Sequence, residues 1–554
     1  MKRLLLCNRY NSSVIRLCSI SRRSINTINH STSSSYSNTK SNRYHSSITL
    51  GVSLIGLVYY VLSSNNSDND DIQSLPSLPS LPLNFINKLK EILKEDQIED
   101  NEGERDVRAK PWNSYHSSSN KPHIIVFPES TDDVSNILHA CNQYKIPVIP
   151  FAGGTSIEGQ TLTPLGGLSL DFSRMKNVIE LNEGDLDITV QAGLGYIELN
   201  EMLRSKGLWF PLDPGPGAAI GGMCACRCSG STAVRYGSMR ENVLNVKAVL
   251  PDGTIIKTGS RARKSSAGYD LTRLLIGSEG TLAVITEATL KLHGIPKYSY
   301  ALKIAFPSII DAAATAAATL NCGVTVGRCE LLDDTMVKII NNANPTMKQW
   351  DESTTLMYEI TGPSASSVTE QLNIVKDIAL KYGGKDFYTA TDDNETKNLW
   401  KLRKECLWSA MSAYPDCEAM ITDVCVPLTK LPELIAQTRA EIDKSILPCP
   451  IIAHAGDGNF HLLIMFHPTV ESEAKEAKKI ATEMAQRAIA MGGTCTGEHG
   501  VGTGKIQLLK EEMGPGSISM MEIIKTAIDP NNIMNPGKIL QMDNDKANKK
   551  YFCN

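Results

Sequence analysis

Apolar and polar positions along this chain follow two periods, and the periods mark out elements. Residues 123–128 (HIIVFP) form an apolar, β-branched run of the kind a buried strand needs. Thr131 is expected to cap a helix, with Asp132 and Asp133 in its positive first turn, and Val134, Ile137, Leu138 and Cys141 fall on one helical stripe. Residues 147–151 (PVIPF) read as the next strand, which completes a β-α-β unit ending in Ala152-Gly153-Gly154-Thr155-Ser156. Short β-rich runs recur at 243–250, 254–257 and 282–286, with Pro251-Asp252-Gly253 as a hairpin turn. Near 297 the texture changes. Glycines thin out, 311–320 is an Ala-rich helix, and 471–491 carries Ile480, Met484, Ala488 and Met491 on one stripe before Gly492-Gly493 stops it.

The N-terminal segment has another character. Residues 1–67 contain no Asp or Glu but carry Lys2, Arg3, Arg9, Arg16, Arg22, Arg23, Lys40 and Arg43 among many Ser and Asn. That composition marks 1–45 as a mitochondrial transit peptide. The apolar run 48–62 (ITLGVSLIGLVYYVL) is short for a bilayer core, so 46–63 reads either as a marginal membrane anchor or as part of a longer presequence. Residues 64–115, which include LPSLPSLP, are expected to act as a linker, with a short helix starting near Asn84. Two domains follow, 119–297 and 298–541.

The 554 residues allow about three domains. A 42% hydrophobic and 21% charged composition excludes a disordered or fibrous chain, and a net charge of -4 argues against nucleic acid as a partner. The 14 cysteines include no CxxC pair, so reduced, structural thiols are expected.

Glycine supplies the first chemical signal. Phe151–Ser156, Gly215, Gly217, Gly221 and Gly222, and Gly277 to Gly280 form loops whose backbone a pyrophosphate can approach. No GxGxxG opens a helix, so a nicotinamide site is not supported. With AVRYGSMRENV (233–243), RARKSSAGYDLTRLLIGSEGTL (261–282), HAGDGNFH (454–461), GTCTGEHGVGTGK (493–505) and MNPGK (534–538), these loops make residues 121–297 resemble the flavin domain of vanillyl-alcohol oxidase and p-cresol methylhydroxylase (PCMH). The stretch from about 110 to 540 resembles the cytochrome-linked D-lactate dehydrogenases of mitochondria.

The resemblance implies an α+β fold: a PCMH-type FAD-binding domain of two α+β subdomains, then an α+β substrate (cap) domain with a C-terminal helical segment. It implies that Gly153, Gly154, Thr155 and Ser156 meet the pyrophosphate. Asp213, Pro214, Gly221, Gly222, Ser229 and Gly230 would line the flavin path, with Gly280, Ile285 and Asn535 as further cofactor positions. Some relatives link the flavin covalently to a His where this chain has Thr155, so non-covalent FAD is expected. Cys226 stands where Thr or another small residue is expected, a departure that is either harmless or makes the site more oxidisable.

Histidine supplies the second signal. In IIAHAGDGNFHLLIMF (451–466) the Asp457-Gly458 pair predicts a two-residue hairpin, which would set His454 directly opposite His461 on one face. Two imidazoles so placed suit a metal. Glu498, in a Gly-flanked turn, could be the third ligand while its neighbour His499 faces the substrate, and the resemblance supports both assignments. Zn²⁺ and Mn²⁺ both suit such a set. His499 would then be the general base for a 2-hydroxy acid, and Arg403 matches the family's carboxylate-binding Arg.

Relatives acting on 2-hydroxyglutarate carry a Lys in the segment equivalent to 419–427. Here that segment is AMITDVCVP, with Ile421 and no cation. A small monocarboxylate such as D-lactate is therefore expected, with glycolate, a longer aliphatic acid or 2-hydroxyglutarate as alternatives. The resemblance implies cytochrome c or a quinone as electron acceptor, and a mitochondrial setting, with inner-membrane association if 46–63 is an anchor. A flavin-dependent ether-lipid synthase shares the fold, but the HxGDGNxH hairpin counts against that chemistry.

Overall fold

The computed structural model describes residues 78–541, Trp112 and Thr391 excepted. The expected transit peptide and the apolar run 48–62 lie outside the described residues. Among the described residues no helix is long and apolar enough to cross a membrane.

The first sheet runs Ile98–Glu99, Ile124–Val126, Leu168–Asp171, Val148–Phe151. Its last three strands are parallel, and helix Thr131–Tyr144 crosses from Ile124–Val126 to Val148–Phe151 as the β-α-β pattern predicts. Val134, Ile137, Leu138 and Cys141 are its buried stripe. The cap is one residue earlier than expected. Ser130 Oγ accepts the Asp133 N–H, and Thr131, now inside the helix, donates its hydroxyl to Thr286 Oγ1 at 3.0 Å.

The expected linker 64–115 is too long at its C-terminal end. Helices Leu83–Ile92 and Glu102–Ala109 flank the edge strand Ile98–Glu99, which pairs with Ile124–Val126. Phe85 and Leu89 are buried, and Arg108 is buried on Asp171 at 2.6 Å. A helix with an apolar face and a paired charge has a place in a core, whatever the Pro-rich run before it.

The second sheet is antiparallel and runs Val178–Asn182, Asp187–Gln191, Val284–Lys291, Val243–Val249, Ile255–Lys257. Its last two strands are the hairpin expected around 251–253.

The third sheet, also antiparallel, runs Lys385–Ala390, Tyr298–Phe306, Thr354–Gly362, Val326–Leu332, Ile451–His454, Asn459–Phe466, Glu418–Ile421, with Val424–Cys425 paired to Asn459–Phe466 as well. Helices Ile309–Leu320, Ala365–Lys381, Leu431–Ile442 and Glu471–Ala490 bury their apolar stripes on one face, against Leu331, Leu356, Ile451, Ala453, Leu462 and Ile464. Ile480, Met484 and Ala488 are the buried side of the last helix, as its spacing predicts. The other face, with Leu332, Ile452 and Leu463, meets helices Asp334–Ala343, Asp393–Lys404 and Cys406–Ala413. That face carries the histidines.

Their hairpin differs from the expected one. His454 pairs with Asn459, and Ile452 with His461, so the turn has four residues, 455–458. A two-residue type I′ turn needs positive φ at both central residues, and of Asp457 and Gly458 only Gly458 has it, at 80°. The ladder is thus offset by two residues from the expected register. An even offset keeps every side chain on its face, so His454 and His461 are diagonal neighbours on one face rather than an opposed pair. Their ring centroids are 5.4 Å apart.

Candidate active site

One cavity of about 1450 Å³ is lined by both the glycine loops and the histidine face. It exceeds the roughly 300–1,000 Å³ of an ordinary small-molecule pocket and has room for a dinucleotide and a small substrate together. Gly153, Gly154, Thr155, Ser156, Asp213, Pro214, Gly221, Gly222, Gly230, Gly280, Ile285 and Asn535 line it, together with Arg403, His454, His461, Glu498 and His499. Ser229 does not, although Cys228, Gly230 and Ser231 on either side do.

The two glycine loops touch. A Cβ on Gly153 would lie 2.3 Å from the Gly217 carbonyl oxygen, whereas one on Gly222 would meet nothing within 4 Å. Gly153 therefore lets the loops close on each other, and Gly222 leaves open space on the cavity wall. Loops shaped in this way fit a pyrophosphate. Gly153→Ala is expected to cost about 1–3 kcal/mol by overpacking and to release the flavin, read as lost yellow absorbance per mole of purified protein.

Asp213 is engaged with protein groups. Its carboxylate lies 3.1 Å from Lys404 Nζ and 3.4 Å from Arg328 Nη2, and accepts from Ser231 Oγ at 2.9 Å. Burial opposes its charge, but Arg328 and Lys404 outweigh burial and hold its pKa below the ordinary value. It joins the glycine-loop half of the chain to the third sheet. The Cys226 thiol is pushed up, mainly by burial and further by Glu279. A protonated thiol is a poor nucleophile, which runs against the expectation of an oxidisable site.

The histidine cluster is built by the sheet and one turn. Glu498 Oε1 lies 3.2 Å from His454 Nε2 and 3.3 Å from His461 Nε2. The other ring nitrogens are occupied: His454 Nδ1 is 2.8 Å from Glu330 Oε1, and His461 Nδ1 is 2.9 Å from the Thr422 carbonyl. With Nδ1 held by these partners, both Nε2 atoms are turned toward Glu498, which is how outer-sphere groups orient metal-ligating histidines. Two imidazoles and a carboxylate at this spacing fit a divalent cation. Burial opposes charge on Glu498, but His454 and His461 outweigh burial and hold its pKa far below the carboxylate range. Burial likewise opposes a charge on His454, and Glu330 and Glu498 overcome it, holding the pKa well above the ordinary value. A cation at His454 Nε2 must displace that proton.

Asp423, His461 and His499 make a second close trio, but the Asp423 carboxylate is already committed. It accepts from Thr496 Oγ1 at 2.8 Å, from the backbone N–H of Glu498 and His499 at 2.9 and 2.8 Å, and from Asn459 Nδ2 at 2.8 Å. Asp423 therefore frames the turn that presents Glu498 and His499. His499 stacks on His461 at 4.9 Å and 15°. Its Nδ1 is buried without a hydrogen-bond partner, and burial is the main cause holding its pKa below the ordinary value. Arg403 reaches the same wall from helix Asp393–Lys404. Its Nη2 donates to Glu330 Oε2 at 2.5 Å, and its Nε is buried with no partner, a donor suited to an incoming carboxylate. Ala419, Ile421, Ile452 and Leu463 line the cavity nearby.

Sequence reasoning missed Glu330 and Asp423. Each is a single acid inside an apolar strand or strand junction, VGRCELL and AMITDVCVP. A buried carboxylate in an apolar run needs a partner, and that was the available signal.

Comparison with known proteins bears on this geometry. Residues 122–259 match the model of an FAD binding domain, and 295–539 match that of the C-terminal domain of FAD linked oxidases. The mitochondrial D-lactate dehydrogenase [cytochrome] of Arabidopsis thaliana is 53% identical over 82% of this chain and 80% of its own. The D-lactate dehydrogenase [cytochrome] 1 of Saccharomyces cerevisiae is 44% identical over 84% and 81%. Among solved structures, 4-ethylphenol oxidase from Gulosibacter chungangensis superposes with a TM-score of 0.70 over 84% of this chain and 98% of its own, at 18% identity, and an alkyldihydroxyacetonephosphate synthase with 0.65 over 84% and 88%, at 20%. p-Cresol methylhydroxylase is a further neighbour of the same fold, at 0.67. The fold is therefore the expected α+β, PCMH-type architecture, and FAD is the cofactor of its N-terminal domain. On identity and coverage together, the chain belongs to the mitochondrial cytochrome-type D-lactate dehydrogenases, a branch of the FAD-linked oxidases.

Proposed function

We propose that this protein oxidises D-lactate to pyruvate in mitochondria and passes the electrons to a cytochrome, with a quinone as the other candidate acceptor. The observation that carries the reading is convergence: His454, His461, Glu498, His499 and Arg403 share one cavity with the glycine loops. In this reading residues 119–297 hold FAD without a covalent bond and 298–541 supply the substrate wall.

The roles follow from chemistry. Arg403, with its unpartnered Nε, takes the substrate carboxylate. His454, His461 and Glu498 hold Zn²⁺ or Mn²⁺, which when bound supplies a Lewis acid for the hydroxyl. His499, kept neutral by burial, accepts the hydroxyl proton. FAD, when bound, supplies the acceptor for the hydride that leaves Cα, and the product is the 2-oxo acid. Ile421, Ile452 and Leu463 offer no cation for a second carboxylate, and an unpaired buried carboxylate costs several kcal/mol.

Anaerobic addition of D-lactate should bleach the flavin, with L-lactate inert and D-2-hydroxyglutarate poorer in kcat/KM. No bleaching would place the chain with the non-redox users of this fold, and a preference for 2-hydroxyglutarate would overturn the substrate reading.

A further inference from the structure

Two acceptors and one donor from the flavin domain hold the turn that follows His499. Glu279, next to Gly280 in the glycine loop, is 5% exposed and has φ 50°, a positive value unusual for a residue with a side chain. Its Oε1 accepts the Val501 N–H at 2.6 Å and its Oε2 the Gly502 N–H at 2.8 Å. Gln160 Nε2 donates to the His499 carbonyl at 2.7 Å. Asn535 Nδ2 ties the two together, donating to the backbone carbonyls of Gln160 and Glu279 at 3.0 and 2.7 Å. Gly500 leaves room for the clamp: a Cβ there would lie 2.7 Å from Glu279 Oε1 and 2.9 Å from Gln160 Nε2.

We infer that Glu279, assisted by Gln160, is a positioning residue: it clamps the 499–502 turn and so sets His499 against the flavin-binding loop. The inference rests on the reading of His499 as the base. These bonds belong to no helix or strand, and they cross from the cofactor cradle to the base within a few residues of each. A backbone placed in this way governs reach, and an error of about 1 Å at a reacting group costs about 10²-fold in rate. The carboxylate is required because two N–H groups converge on it. A Gln amide has one acceptor oxygen and would set an NH₂ against the other N–H.

The test is steady-state and anaerobic reductive kinetics with D-lactate on holoenzyme carrying Glu279→Gln, with Gln160→Ala as the second variant and His499→Asn alongside. The expected result for Glu279→Gln is a kcat and flavin-reduction rate about 10²-fold lower, KM within about twofold, and unchanged FAD and metal content; Gln160→Ala should show a smaller loss of the same kind. A wild-type rate in Glu279→Gln overturns the inference, as does a loss of FAD or metal that accounts for its slower rate. If Glu279→Gln cannot be purified folded, Gln160→Ala decides by the same criteria. A slow Glu279→Gln beside an unaffected His499→Asn also overturns it, because the clamp would then act through some other group. A slow His499→Asn beside an unaffected Glu279→Gln leaves the base standing and removes only the clamp.

Discussion

Replacing His499 with Asn is expected to slow anaerobic flavin reduction by D-lactate by about 10²–10⁴-fold, while FAD and the cation stay bound. A positioned general base contributes that factor, which corresponds to about 3–5 kcal/mol of barrier. Asn gives up the ring stacked on His461 but keeps a polar side chain there and leaves intact the backbone N–H bond to Asp423 that frames the turn. The sign of the pH dependence follows from burial. With its pKa held below the ordinary histidine value, His499 is neutral at pH 7, and acidification through that lowered pKa protonates the base and slows the wild-type reaction. That contribution to the acid limb should be missing in His499→Asn. Near-wild-type reduction in the variant would end the assignment.

Glu498→Gln is expected to strip the cation and turnover together while the protein stays yellow. Among the described residues Glu498 is the carboxylate that both Nε2 atoms face, and a neutral amide at its place leaves a cation there with two imidazoles and no carboxylate. Glu330→Gln should act more mildly, since it removes only the orienting partner of His454 Nδ1 and of Arg403; outer-sphere changes of this kind cost about 10–100-fold in metal affinity. Metal analysis and turnover on the same purified samples check both. Full activity in metal-free enzyme would exclude a catalytic cation. A colourless Glu498→Gln would show that the triad supports the flavin domain instead.

Much of this was legible in order along the chain. The β-α-β unit around Thr131–Tyr144, the hairpin at 251–253 and the helix Glu471–Ala490 follow from local periodicity. Boundaries were less legible. Ser130 rather than Thr131 caps helix Thr131–Tyr144 because Thr131 spends its hydroxyl on Thr286, a partner 155 positions away. The segment 83–109 reads as linker only until its partners Asp171 and Ile124–Val126 are in place. The histidine pair shows how a wrong register can still yield the right face. The two-residue turn was refused by Asp457, yet an even offset left His454 and His461 together.

By itself the sequence determined the residue chemistry: which loops could lie close to a phosphate, which residues could ligate a cation, and that segment 419–427 carries no Lys or Arg. These are properties of side chains and short spacings, carried by adjacent residues. Only the tertiary structure decided who stands behind them: Glu330 under His454 and Arg403, Asp423 behind the 496–499 turn, Glu279 across from Val501 and Gly502. Each of those partners is at least 70 positions away in the chain. A buried carboxylate announces that it must be paired, but the pairing is chosen by chain folding, which no local pattern encodes.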